Sequence, residues 1–238
     1  MPLPALKSQP RVSIVIPAHN EEDKIGSAVN TALAQAYPDF EVIVVDNASD
    51  DGTGARAAEA GAHVVREDRK GILFAKEAGR KAATGEILAG LDADCIPPTD
   101  WLRRGVVFFE DPHVVAVTGG FDYYDLSPIP RTLIRWGAMF VHRPISYLLQ
   151  ALGRGAYMIG GNCLIRKSAL EKIGGYDTSI RFWGEDTDTA TRLSSVGKVV
   201  YAKNLFVRSS GRRFLRDGYI KPFFTYVGSD VKVFSRHR

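Results

Sequence analysis

Two groups of acidic residues stand where chemistry can be done. Asp92-Ala93-Asp94 follows an apolar run and leads into Cys95-Ile96-Pro97-Pro98. Two carboxylates two residues apart, just past a strand end, can both face one cation if the backbone turns there. Hard divalent ions such as Mg²⁺ or Mn²⁺ take oxygen ligands of this kind, and few protein ones when phosphates supply the rest. Taken alone, D-x-D is equally at home in a solvated loop. The second group is Trp183-Gly184-Glu185-Asp186-Thr187-Asp188, at the entrance to a helix. Acids are favoured there by capping and the helix dipole, whatever else they do. A general base must still be an acid or histidine held at a rigid element end, and Asp186 qualifies. A third polar segment, Pro17-Ala18-His19-Asn20-Glu21-Glu22, reads as a strand-to-helix turn with Asn20 as its cap.

The elements that must position these groups alternate along the chain. Short apolar, β-branched runs at Val12 to Ile16, Glu41 to Val45, His63 to Val65, Ile87 to Leu91 and Val114 to Thr118 predict buried strands. Between them, helical spacing covers Glu21 to Ala36 (Ile25, Val29 and Leu33 on one face), Arg56 to Ala60, Ile72 to Ala83 and Asp100 to Glu110, the last with Thr99 as N-cap. This alternation predicts an α/β fold, a mainly parallel sheet flanked by helices with right-handed crossovers. Ligands of such sheets bind beyond the carboxyl ends of the strands. Pro17 to Glu22, Asp46 to Thr53 and Asp92 to Pro97 each follow a buried strand, so they should converge on one crevice. After Gly120 the alternation fails. Phe121 to Met158 reads as irregular, aromatic and proline-punctuated, with short helices later at Ser168 to Ile173 and Thr187 to Ser195.

Composition sets the frame. The chain has 238 residues, 45% hydrophobic and 24% charged, as expected of a globular protein with a real core. Cys95 and Cys163 are too few for a disulfide framework and read as free thiols. The start lacks the apolar run of a secretory signal, which points to a cytoplasmic protein. The most membrane-like stretch, Leu133 to Leu152, is broken by Arg135, His142, Arg143 and Pro144, so no spanning helix is expected. Lys203 to Arg238 holds nine lysines and arginines against two aspartates, on a mildly acidic body. A basic, aromatic tail suits something anionic: a pyrophosphate, or the inner face of an anionic membrane. The same residues could instead close over the domain as a flap. Nucleic acid has no support in the acidic body.

The assembled pattern is far more specific than its parts. VSIVIPAHNEE, EVIVVDNASDDGT, GEILAGLDAD, GGNCLIRKSALEKIGGYD and WGEDTDTATRL, in that order, resemble the family 2 glycosyltransferases of GT-A fold over roughly Val12 to Val200. The resemblance implies a Rossmann-like GT-A sheet at 1–202, with a nucleotide-binding half at about 11–120, an irregular acceptor half at about 121–202, and a basic extension at 203–238. It implies that Pro17, His19 and Glu21 hold the nucleoside, with His19 where the family often has tyrosine. Val45 and Asn47 match the loop that contacts the base. Lys76 stands where an arginine often lies near the diphosphate. Asp92, Ala93 and Asp94 match the D-x-D element, with Asp94 as ligand of Mg²⁺ or Mn²⁺ and Asp92 nearer ribose or sugar. Asp186 matches the catalytic base, paired with Glu185, and Trp183 and Glu185 border the acceptor. Ser209-Ser210-Gly211-Arg212-Arg213 falls where a basic element could reach the diphosphate.

The implied reaction moves a sugar from a UDP or GDP donor to the hydroxyl of a saccharide or lipid-linked acceptor, with inversion. A Q-x-x-R-W element, which processive members carry, does not follow Glu185-Asp186, so processive synthesis is not expected. A retaining GT-A enzyme shares the D-x-D and fold and is the nearest alternative. A sugar nucleotidyltransferase should have a glycine-rich first loop, where this chain has PAHNEE. A non-catalytic relative would be expected to lose Asp94 or Asp186, and both are present.

Overall fold

A computed structural model describes residues 6, 8–152, 156–180, 184–219 and 233. Seven strands form one sheet in the order β3-β2-β1-β4-β7-β5-β8. They are β1 (Val12–Ala18), β2 (Phe40–Asn47), β3 (His63–Glu67), β4 (Ile87–Leu91), β5 (Val114–Thr118), β7 (Asn162–Arg166) and β8 (Lys198–Tyr201). All neighbouring pairs are parallel except those of β7, which runs antiparallel to both β4 and β5. A two-stranded parallel pair, β6 (Phe121–Tyr123) and β9 (Val207–Ser209), lies beside it.

The helices between the early strands are α1 (Glu22–Leu33), α2 (Thr53–Glu59), α3 (Ile72–Ala82) and α4 (Trp101–Val106). Each overlaps the span that the apolar spacing predicts, α2 starting at Thr53 rather than Arg56. One apolar cluster packs Ile25, Val29 and Trp101 against Ile14, Ile16 and Leu91. A second holds Val15, Ile43, Val45, Ala75, Ile165 and Leu193. Strands buried on both faces explain the unbroken apolar runs at Val12 and Val42.

Three sequence expectations give way here. The buried stripe of α1 is Ile25, Ala28, Val29 and Ala32, and Leu33 is left exposed at its edge. Small alanines, not the terminal leucine, let the helix sit close. Asp100, not Thr99, precedes α4, and no side chain caps it. The Thr99 carbonyl accepts the Ala36 N–H instead, tying the end of α1 to this turn. Nor is Phe121 to Met158 irregular. It holds β6, α5 (Pro128–Gly137), a π-helical turn (Ala138–His142) and α6 (Arg143–Ala151). Proline sits at the first turn of each helix, a tolerated position that reads in sequence as a breaker.

The later helices are α7 (Lys167–Lys172), α8 (Glu185–Ser194) and α9 (Arg212–Asp217). Among the described residues no helix is long and apolar enough to cross a membrane. Both cysteines are free and buried. Of the basic tail, the part up to Tyr219 belongs to the body through β9 and α9; Phe223, Phe224, Tyr226 and Phe234 lie outside the described residues.

Candidate active site

The first two polar segments are zipped together by their own hydrogen bonds. Parallel pairing sets Ala18 opposite Asp46. Beyond that point Asn20 N–H donates to Ser49 Oγ (3.1 Å), Glu21 N–H to Thr53 Oγ1 (2.8 Å), and Asp50 N–H to Asn20 Oδ1 (2.9 Å). Asn20 takes a left-handed backbone, φ 53°, to make this turn, a conformation asparagine tolerates better than most residues. Its side chain serves the neighbouring loop, and no side chain caps α1.

The third segment joins through Arg212. Its guanidinium forks onto both oxygens of Glu21 and lies 3.3 Å from Asp94 Oδ2. This arginine, carried by β9 and α9, holds the first-strand loop against the acid loop. Burial pushes the Asp94 carboxyl up, and the Arg212 charge opposes that push. Asp92 is pushed up to about 7, by burial first, with Lys76 pulling against it and Asp186 and Asp94 adding to it.

Donor atoms of Asp92, Asp94 and Cys95 lie within 4.8 Å of one another. The Cys95 thiol is fully buried and held well above its ordinary range by that burial and the two aspartates, so it is no ready thiolate. What remains is a pair of hard carboxylate oxygens, a donor set that suits Mg²⁺ or Mn²⁺.

Asp186 lies in the first turn of α8, which starts two residues earlier than the helix expected from Thr187. Both its oxygens are held. Lys76 Nζ donates to Oδ1 at 2.5 Å and the Gly160 N–H to Oδ2 at 2.8 Å. Burial would lower the Lys76 ammonium, but Asp186 and Glu185 outweigh it and hold the proton on. The Glu185 carboxyl is raised by burial and by Asp186 beside it. Behind the pair, Val15, Leu88, Met158, Cys163 and Tyr176 wall a small apolar cavity.

Gly160 and Gly161 link the base to the acid loop. A Cβ on Gly160 would collide with the Asp186 carboxylate and approach Lys76 Nζ to 2.6 Å; one on Gly161 would collide with Asp92. Glycine is required at both positions because the carboxylates press on the backbone itself. Asp92 and Asp186 therefore stand on successive glycines of one turn. Sequence reading missed this turn, although the doublet before Asn162 is visible in it.

Other expected residues fall elsewhere. His19 is at the crevice, its Nδ1–H donating to the Asn47 carbonyl at 2.8 Å. The side chain of Val45 is wholly buried in the core, so it has no side-chain surface for a base. Ala93 is likewise packed in the core behind the acids. Asn47 is spent on its own loop. Its Nδ2 donates to the carbonyls of Glu67 (3.0 Å) and Arg69 (2.8 Å), and its Oδ1 accepts the Gly71 N–H (2.7 Å). The amide shapes the rim of the crevice and has no donor left for a base. Lys76 serves Asp186 directly. Trp183 lies outside the described residues. Arg212, Asp46 and Tyr176 are the side chains sequence reading left unweighted or barely weighted. Asp46, near the end of β2, is held by Arg66 of the neighbouring β3 at 2.7 Å.

A family model described as glycosyl transferase family 2 matches residues 13–174. The chain belongs to that family. A second model, described as the N-terminal domain of galactosyltransferase, matches residues 150–204, which takes in the glycine turn and α8.

Among curated relatives, the chain is 35% identical over 122 residues to glycosyltransferase AglE of Haloferax volcanii, covering 48% of this chain and 40% of that protein. It is 27% identical over 252 residues to the pre-mycofactocin glycosyltransferase of Mycobacterium tuberculosis, covering 98% of this chain and 50% of that one. The chain thus spans half or less of these relatives' length. Among solved structures it is similar to the mannosyltransferase PcManGT of Pyrobaculum calidifontis in complex with GDP-Man and Mn²⁺, with TM-score 0.69, 22% identity, and 98% of this chain and 73% of that chain covered. It is also similar to glucosyl-3-phosphoglycerate synthase of Mycobacterium tuberculosis, in complex with Mn²⁺, UDP-glucose and phosphoglyceric acid, with TM-score 0.62, 20% identity, and 94% of this chain and 78% of that chain covered. These likenesses show the fold, which is α/β of GT-A type.

Proposed function

We propose that this chain transfers a sugar from a UDP or GDP donor to a hydroxyl of a saccharide or lipid-linked acceptor, one sugar at a time and with inversion. The observation that carries this reading is the glycine turn that sets Asp92 and Asp186 side by side. One carboxylate belongs to the D-x-D loop, and the other is oriented by Lys76 and Gly160.

In this reading Glu21, His19 and the loop after β2 hold the nucleoside, and Asn47 keeps that loop in shape. Asp94, with Asp92 beside it, would hold Mg²⁺ or Mn²⁺, which would act as a Lewis acid on the departing diphosphate. Arg212, which holds Glu21 and lies beside Asp94, would turn to meet the same phosphates. Asp186 takes the proton of the acceptor hydroxyl as that oxygen attacks the anomeric carbon, and the bond to the diphosphate breaks on the opposite face. A fixed carboxylate serves this step because its oxygens need not reorganise when the proton moves.

Two of the similar solved structures carry Mn²⁺ with GDP-Man or UDP-glucose, which supports a metal and a nucleotide-sugar donor without choosing the base. Calorimetry with UDP and GDP, with and without Mn²⁺, tests the donor side. Binding is expected to need the metal for one of the two nucleotides, and indifference to Mn²⁺ for both would remove Asp94 from its role. Proton NMR of the first-formed product decides inversion against retention.

A further inference from the structure

The segment Pro128–Ala151 turns its polar side to the protein and its apolar side to water. Inward, Arg131 forks onto Asp122 of β6 at 2.5 and 2.6 Å, and Ser146 Oγ accepts the Tyr157 N–H at 3.1 Å. Gln150 bonds in both directions to Val199, on edge strand β8, at 2.6 and 2.8 Å. Outward, Ile129, Leu133, Trp136, Phe140, Leu148 and Leu152 are 59–75% exposed. Positions 129, 133, 136 and 140 recur as one helical stripe, and α6 continues it with 145, 148 and 152. No α5 side chain is buried and α6 buries only Ser146. Contiguous exposed apolar surface of this extent marks a contact site.

We propose that this face docks on an anionic lipid bilayer, with both helices lying in the headgroup region. Charge decides for lipid over protein. No aspartate or glutamate occurs between Asp125 and Glu171, a stretch that holds Arg131, Arg135, His142, Arg143 and Arg154. Arg135 lies over the Phe206 ring, its charge felt by Asp122, and Arg143 lies over Tyr147; neither makes a salt bridge with a carboxylate among the described residues. An apolar stripe carrying Trp136 and bordered by one sign of charge complements an anionic headgroup layer. The helices are too short to span, so they lie on the surface.

The face also has a place relative to the candidate active site. α5 is tied to β6, β6 pairs with β9, and Arg208 of β9 bridges to Ile96, two residues past Asp94. That series of contacts ties the docking face to the loop that carries Asp92 and Asp94. The docking itself does not depend on which sugar is moved or on the role of Asp186.

The test is flotation of the full chain with vesicles of phosphatidylcholine alone and of phosphatidylcholine mixed with phosphatidylglycerol. The protein is expected to float with the anionic vesicles, and Leu133→Glu with Leu148→Glu to lower its partitioning roughly tenfold or more. Melting and metal-dependent nucleotide binding should be unchanged, because both side chains are at least 60% exposed and far from the acids in sequence. Trp136 fluorescence should be quenched by brominated lipids, and Trp136→Phe should remove the quenched component; this reading stands even if the double variant misfolds. No flotation, equal flotation on neutral vesicles, or no quenching of Trp136 overturns the proposal. Flotation of the double variant at the wild-type level does so too, by placing the contact elsewhere, as on the aromatic tail. A solution dimer that the two glutamates split, without flotation of the wild type, overturns it in favour of a second copy.

Discussion

Asp186 owes its position to two contacts that no linear motif records, the Lys76 ammonium and the Gly160 N–H. Asp186→Asn keeps the shape and removes the proton acceptor, so kcat is expected to fall about 10²- to 10⁴-fold with donor affinity little changed. Gly160→Ala is the sharper check. Its methyl would drive the carboxylate off its position, and a displacement of about 1 Å can cost roughly 10²-fold in rate. Full turnover in Gly160→Ala would show that the base lies elsewhere. A second residue-scale expectation concerns acid stability. The Arg69 side chain holds Glu67 down to about 2, against an ordinary 4.5. A depressed carboxyl adds stability that is present above the unfolded pKa, so it should be lost as pH falls from about 4.5 toward 2. Acid titration of the melting temperature should show a shallower fall over that window in Arg69→Ala. Asp92 and Asp94 were legible in sequence because they follow an apolar run, and Asp186 because it stands at the entrance to a helix. What Asn47 bonds to was not, because Glu67, Arg69 and Gly71 reach it only through the pairing of β2 with β3.

At the scale of elements, β7 is the piece sequence reading passed over. It is five residues long, follows a glycine doublet and runs straight into α7, so neither period nor turn chemistry announces it. Its first residue clasps three segments. Asn162 Oδ1 accepts the Trp101 indole N–H at 2.9 Å, and its Nδ2 donates to the carbonyls of Gly120 and Leu205 at 2.9 and 2.8 Å. Asn162→Ala takes the partner from the Trp101 N–H and the Leu205 carbonyl, while the Gly120 carbonyl keeps the Val207 N–H, and is expected to cost about 2–4 kcal/mol, read by denaturant unfolding. A loss under about 1 kcal/mol would mean that water replaces the amide. Helices α5 and α6 escaped notice for a different reason. Their apolar stripe faces outward and prolines open both, so the stretch read as irregular and proline-punctuated.

Across the whole molecule, one sheet brings residues far apart in sequence to a single edge of β1, β2 and β4. Glu21, Asp92, Asp94, Glu185 and Asp186 gather there, balanced by Lys76 and Arg212. So many carboxylates in one crevice should make the fold sensitive to bound cation. Mn²⁺ with the preferred nucleotide is expected to raise thermal stability by about 2.7 kcal/mol when the nucleotide is at a hundred times its Kd. Asp94→Asn should abolish most of that rise. An equal rise in the variant would place the metal off Asp94.

Taken by itself, the chain determined its alternating strands and helices, and with them the parallel sheet and the end of it where ligands gather. Apolar period and the carboxyl-end rule act locally or follow from topology, so they survive without coordinates. Order and spacing of the motifs determined the family. Tertiary structure alone decided what each polar group spends its hydrogen bonds on. Asn47 turned out to be a strut, Lys76 a partner of Asp186, and Arg212 the tie between Glu21 and Asp94. It also decided that α5 and α6 face outward, because which side of a helix meets the core depends on Gln150 finding β8 and Arg131 finding Asp122. Apart from Arg131 with Asp122, nine positions away, such pairings join residues separated by tens of positions, and a hydrogen bond across that distance exists only once the sheet has been assembled.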